Sequence, residues 1–126
     1  MFFEKDIIRR QIEVLVNISS KVLLSLDNAE YEPTEDKDEN INALYQRTVE
    51  YIKNGEIGKA EDEIYDAYDP INDSYTELAI DFYRRLNLLE DEELENADFE
   101  REEVKDGLCD FMRRMGIPDD VIMGER

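Results

Sequence analysis

Apolar side chains recur along this chain at steps of three and four, the period of helices lying against a core. The first such stretch covers residues 4–26. Ile8, Ile12, Leu15, Ser19, Val22 and Leu26 advance by 4, 3, 4, 3 and 4, the spacing of a coiled-coil seam. A second line runs beside it through Ile7, Val14, Ile18 and Leu24, so the helix is apolar over more than half its circumference. Such a helix must be buried between other helices or packed against a second copy of itself.

The period is lost over residues 27–40, where DNAEYEPTEDKDEN holds seven acids, one Lys and one Pro. That composition predicts a solvated acidic linker. A second helix is expected over 41–54, with Ile41, Leu44, Tyr45, Thr48, Tyr51 and Ile52 on one side and Gly55 as a left-handed C-terminal cap. The third carries Ile57, Ala60, Ile64, Ala67 and Tyr68 and stops at Asp69-Pro70. The fourth opens at Asp73 or Ser74 and runs to Leu89. After a strongly acidic stretch, 90–103, which has room for one helical turn, the fifth is capped by Asp98. It buries Val104, Leu108, Phe111, Met112 and Met115 and ends at Gly116-Ile117-Pro118. No run alternates with period two for long enough to be a strand. The expectation is an all-α bundle of about five helices. Its parts are the apolar helix of 1–26, packing on the body or on a second copy, the linker of 27–40, a helical body over 41–117 and a tail over 118–126.

Within that body Leu44, Tyr51, Gly55, Ile57, Ala60, Ile64 and Ala67 fall at the spacing of a helical hairpin with small residues at its crossing, and residues 44–67 resemble one tetratricopeptide repeat. Arg47 and Thr48 stand where that repeat usually has Leu-Gly, and Pro70 arrives two residues early. A single repeat implies a tight antiparallel hairpin packed through Leu44, Tyr51, Gly55, Ala60, Ile64 and Ala67, not a long peptide-binding superhelix. Three longer segments carry a second resemblance: FFEKDIIRRQIEVL, NGEIGKAEDEIYDA and LAIDFYRRLNLLEDEELENADFEREEVKDGL. On these the chain resembles an uncharacterised family of short helical proteins from Gram-positive bacteria. The resemblance implies a tetratricopeptide-like helical fold and brings no catalytic residues with it.

Charge and composition narrow the function. The 126 residues include 34 acids and 15 bases, a formal net charge of -19, with no His, no Trp and one Cys. Residues 1–26 hold four bases and three acids, a net of +1, so the remainder carries -20. Without His, neither Ser-His-Asp nor Cys-His catalysis nor a His-ligated metal site can be built. One Cys allows no intramolecular disulfide and suits a reducing compartment. The charge opposes direct nucleic-acid binding. No stretch has the length and apolarity of a membrane span, and Glu4 and Asp6 spoil a signal-peptide leader, so a cytoplasmic protein is expected.

Individual candidates fare no better as chemistry. Asp36-Lys37-Asp38-Glu39-Asn40 begins like a calcium loop, but Ile41 and Arg47 stand where that loop needs Gly and a bidentate Glu. A di-metal carboxylate site in a bundle needs Glu-x-x-His. Glu61, Asp62 and Glu63 are consecutive and splay around their helix. Asp66, Asp81 and Asp110 lie nearest the apolar stripes and are expected wet at their edges. Six tyrosines between residues 45 and 83 read as rings packed between helices with hydroxyls reaching solvent. Cys109 reads as a structural thiol, with Asp106 and Asp110 opposing a thiolate. Neither a cofactor nor a catalytic or metal-binding residue is expected. The reading that remains is a non-catalytic protein–protein association domain, self-associating as a dimer. Its candidate interface is Ile8, Ile12, Leu15, Val22 and Leu26. The alternative is an acidic decoy whose carboxylates imitate phosphates and occupy a basic, nucleic-acid-binding partner.

Overall fold

A computed structural model describes residues 2–124, with side chains from residue 5 onward. Residue 1 of the expected first helix and residues 125–126 of the expected tail lie outside the described residues. The described chain is all-helical, with seven helices and no strand. They are α1 (Phe2–Leu24), α2 (Glu39–Lys53), α3 (Ile57–Ala67), α4 (Asp73–Leu88), α5 (Asp91–Asn96), α6 (Arg101–Arg114) and α7 (Asp119–Met123). The two beyond the expected five are single-turn elements. One, α5, falls in the acidic stretch after α4, and the other, α7, in the expected tail.

The long helix α1 packs against α4 and α6, while α2 and α3 form a hairpin whose first arm leans on α4. Along the seam of α1, Ile12 and Leu15 are fully buried, with Val16 beside them. They share one core with Ile80, Phe82 and Leu86 of α4 and with Val104, Leu108, Phe111 and Met112 of α6. Ser19 and Ser20 are buried on the same face. Each satisfies its hydroxyl by donating to the carbonyl one turn back, Leu15 O and Val16 O. Ser20 Oγ also accepts the backbone N–H of Ala29, which draws the chain after α1 back onto the helix.

A second, smaller cluster lies under the acidic segment. Tyr31, Ile41, Leu44 and Leu78 bury one another there, with Tyr45 and Tyr75 packed against them. Residues 27–40 are therefore acidic and largely exposed, yet pinned at Ala29 and Tyr31. Pattern reading could not find Tyr31, because a single aromatic has no period.

Helix ends follow the capping chemistry of the sequence. Gly55 at φ 77° and Gly116 at φ 85° end α2 and α6. In each case the next residue's N–H returns to a carbonyl five residues back, Glu56 to Tyr51 and Ile117 to Met112. Ser25 and Asp98 adopt the same left-handed geometry after α1 and α5. Asp98 thus closes α5. The cap expected of it at the start of α6 falls to Glu100, whose carboxylate exchanges bonds with Glu103 across the first turn.

Candidate functional site

One clamp fixes the orientation of α1. Arg9 donates to Asn87 O at 3.1 Å and to Leu89 O at 2.8 Å, the free carbonyls at the end of α4. Buried Arg101 of α6 reaches the same two carbonyls at 3.0 and 2.7 Å, and also Asn87 Oδ1 and Asp91 Oδ1. Asn87 Nδ2 completes the set by donating to Arg9 O. Two guanidiniums thus neutralise the negative end of the α4 dipole and tie α1, α4 and α6 together. Lys105 donating to Gln11 Oε1 at 2.8 Å adds a further link between α6 and α1.

With that face inward, α1 leaves apolar side chains from both of its lines outward. Ile7 is 56% exposed and Val22 58%, and half-buried Val14 and Ile18 lie between them along the helix. Leu88 of α4, 66% exposed, stands beside them. An open groove of about 810 Å³ runs between the helices, lined by Val14, Ile18, Lys21, Arg84 and Leu88 among others. Around the strip the exposed polar residues are Asp6, Arg10, Glu13, Asn17 and Lys21. The five candidate interface residues therefore separate. Ile12 and Leu15 lie in the chain's own core and Ile8 packs against it, while Val22 and Leu26 are exposed.

The candidate hairpin residues sit on α2, the turn and α3. Leu44, Ala60 and Ile64 are buried, Tyr51 is half-buried and Ala67 is exposed at the end of α3. Gly55 makes the turn with Ala97 close by. The hydroxyl of Tyr51 donates to Glu63, which also accepts from Arg47, a cross-helix pair that holds the Glu63 carboxyl below its usual range. Thr48, at a small-residue position of the repeat pattern, is buried with its hydroxyl unpartnered.

The most chemically distinctive cluster joins α3, α4 and α6. The Tyr83 hydroxyl donates to Glu61 Oε2 at 2.6 Å and lies 3.0 Å from the Tyr65 hydroxyl, which also faces Gly107 O. Gly107 is required there, because a Cβ would come within 2.8 Å of Glu61 and 2.9 Å of Tyr83. Burial pushes the Glu61 carboxyl above its ordinary value, against the Tyr83 hydrogen bond, with Asp62, Asp110 and Glu103 adding repulsion. Burial, followed by the Glu61 charge, drives Tyr83 far upward, so this phenol stays protonated. The arrangement can hold a proton. The buried Cys109 thiol in the adjoining groove is likewise raised by desolvation.

Two readings are corrected. Asp81 is 1% exposed, not wet at a stripe's edge; it binds Arg84 and Arg85 at 2.7 Å each, one and the same acid drawing both neighbouring guanidiniums. The tyrosine rings pack between helices as expected, but several hydroxyls find protein partners instead of solvent. Tyr68 meets Thr76, Tyr51 donates to Glu63, and Tyr45 accepts from Arg85. Asp66 and Asp110 are exposed. Among the described residues no group of three or more acidic or Cys side chains is placed to hold a metal, and no helix is long and apolar enough to cross a membrane.

Fold and site together define a small all-α domain whose polar clusters tie helices to one another and whose outward apolar strip lies on its first helix. The chain belongs to DUF6483, a family of unknown function whose model matches residues 2–116. No curated protein and no solved structure matches it.

Proposed function

We propose that this protein is a non-catalytic association domain that pairs with a second copy through the outward strip of α1. The observation that carries the reading is the row Ile7, Val14, Ile18 and Val22, flanked by Leu88. It lies on a helix with a net charge of +1, in a chain of -19. An apolar strip rimmed by polar groups is the ordinary signature of an association surface. Polar clusters engaged in holding helices together support the non-catalytic part of the reading. The α2–α3 hairpin is read as tetratricopeptide-like, with support from its small residue Ala60 and the left-handed turn at Gly55. A buried, unpaired Cys109 suits a cytoplasmic setting.

Light scattering coupled to size exclusion tests the proposal on the full chain and on Ile7→Gln/Val22→Gln/Leu88→Gln. All three positions are exposed, so the variant keeps its helical circular dichroism. The expected result is a dimer for the parent chain and a folded monomer for the variant. A monomeric parent chain overturns self-association. A monomer that binds a basic, DNA-binding protein with steep loss in salt supports the acidic-decoy reading instead.

A further inference from the structure

Residues 25–38 cross from α1 to α2 without helix or strand and are held down at few points. Along this stretch only Ala29 and Tyr31 are buried, and Lys37 is half-buried. Among the described residues, no backbone group of 27–33 bonds to another backbone group. The stretch carries six acids and one Lys, a net of -5, so it repels itself.

The face that receives it, between α2 and α4, is built from side chains that the helices fix. Asn42 of α2 uses both ends of its amide. Its Oδ1 accepts from the Tyr31 hydroxyl at 2.6 Å, and its Nδ2 donates to Thr34 O at 2.9 Å. The Tyr45 ring lies beside that of Tyr31, with centroids 5.1 Å apart. Buried Asp81 holds Arg85, which donates to the Tyr45 hydroxyl at 2.7 Å, and Arg84, which lies 3.5 Å from Glu30. Two guanidiniums on one carboxylate leave a charge of +1 beside an acidic segment. Leu44 and Leu78 lie beneath the Tyr31 ring. A preformed face that meets a segment with so few apolar anchors favours local opening over loss of the whole fold.

We infer that the α2–α4 face is a docking site for an extended segment with a tyrosine set between acids, and that residues 29–34 fill it in cis as a strap that lifts without unfolding the bundle. Once the strap lifts, Asn42, Tyr45 and Arg84 offer the same contacts to a partner segment of that chemistry. This face is separate from the outward strip of α1 and stands whether or not the chain pairs.

Hydrogen exchange on the full chain reads the lifting. The Ala29 amide, which donates to Ser20 Oγ, should exchange about a hundredfold or more faster than the Phe82 amide in α4. Docking is read with a synthetic peptide of residues 27–38. In excess it should speed exchange at Ala29 of the parent chain by holding the strap off, and leave Phe82 unchanged. By NMR titration it should bind the folded Tyr31→Ala variant about tenfold or more tightly than the parent, whose tethered strap competes. The same peptide carrying Tyr31→Ala should do neither. Equal exchange at Ala29 and Phe82 overturns the strap. A peptide that leaves Ala29 exchange unchanged, or acts alike with and without its tyrosine, overturns the docking site.

Discussion

Glu61 and Asp91 respond to acid in opposite directions. The Glu61 carboxyl is raised by burial, so its ionisation costs stability. That cost is absent below the unfolded carboxylate range and fully present once pH has risen through the folded value. Asp91 is lowered by its bond from Arg101, so it stabilises the fold above the unfolded range and the benefit is lost as pH falls through its depressed value. Glu61→Gln keeps an oxygen for Tyr83 and removes the charge. Urea unfolding should therefore show the variant gaining on the parent as pH rises from about 4 to 7, the window set by an upward-shifted carboxyl. An unchanged difference across that window would refute the buried-charge account. Little of this was legible in the sequence, where Glu61 is one of three consecutive acids. Its burial comes from Gly107, forty-six positions away, which leaves room for the Tyr83–Glu61 contact. The burial of Asp81 is hidden from the sequence for a related reason, because a stripe of apolar neighbours does not say that Arg84 and Arg85 will both turn back to one carboxylate.

Among the elements, α1 shows how far periodicity reaches and where it stops. Both of its apolar lines are plain in the sequence, but nothing local tells which line faces inward. The choice is made by Arg9 and Gln11, whose partners lie on α4 and α6. Once Arg9 is committed to the end of α4, Ile12 and Leu15 point into the core, while Val22 of the same line lies outside with Ile7 of the other, and Ile18 packs against the core. The helix boundaries were within a few residues, since Gly, Pro and acidic caps mark them chemically. The single-turn helices α5 and α7 are too short to show a period. Arg101 is the element-level keystone of the clamp. Arg101→Met should cost about 3 kcal/mol by leaving buried carbonyls unpaired, measured as a lower urea midpoint. A loss below about 1 kcal/mol would mean that Arg9 alone suffices to cap α4.

For the molecule as a whole, charge sets the response to solution conditions. Several of the ion pairs are exposed on both sides and contribute little, while the net charge of -19 repels itself across the surface. Raising salt should therefore raise the thermal midpoint steadily between low ionic strength and about 0.5 M, where the Debye length has shrunk to a few ångströms. A falling midpoint over that range would show that the ion pairs outweigh the repulsion. The all-α class was readable from period alone, and the acidic surface from counting. The small cluster around Tyr31 was not, because it is made by residues 31, 41, 44 and 78 meeting across a segment without pattern. The clamp on α1 also has a consequence for the order of assembly. The bonds that seat α1 join residues 78 to 94 positions apart, whereas the α2–α3 hairpin closes over neighbouring sequence. A chain emerging from the ribosome thus carries its most apolar helix without a mate until α4 and α6 have followed, and the hairpin folds in the interval. Chaperone contact during synthesis should centre on those first residues and end when α6 emerges.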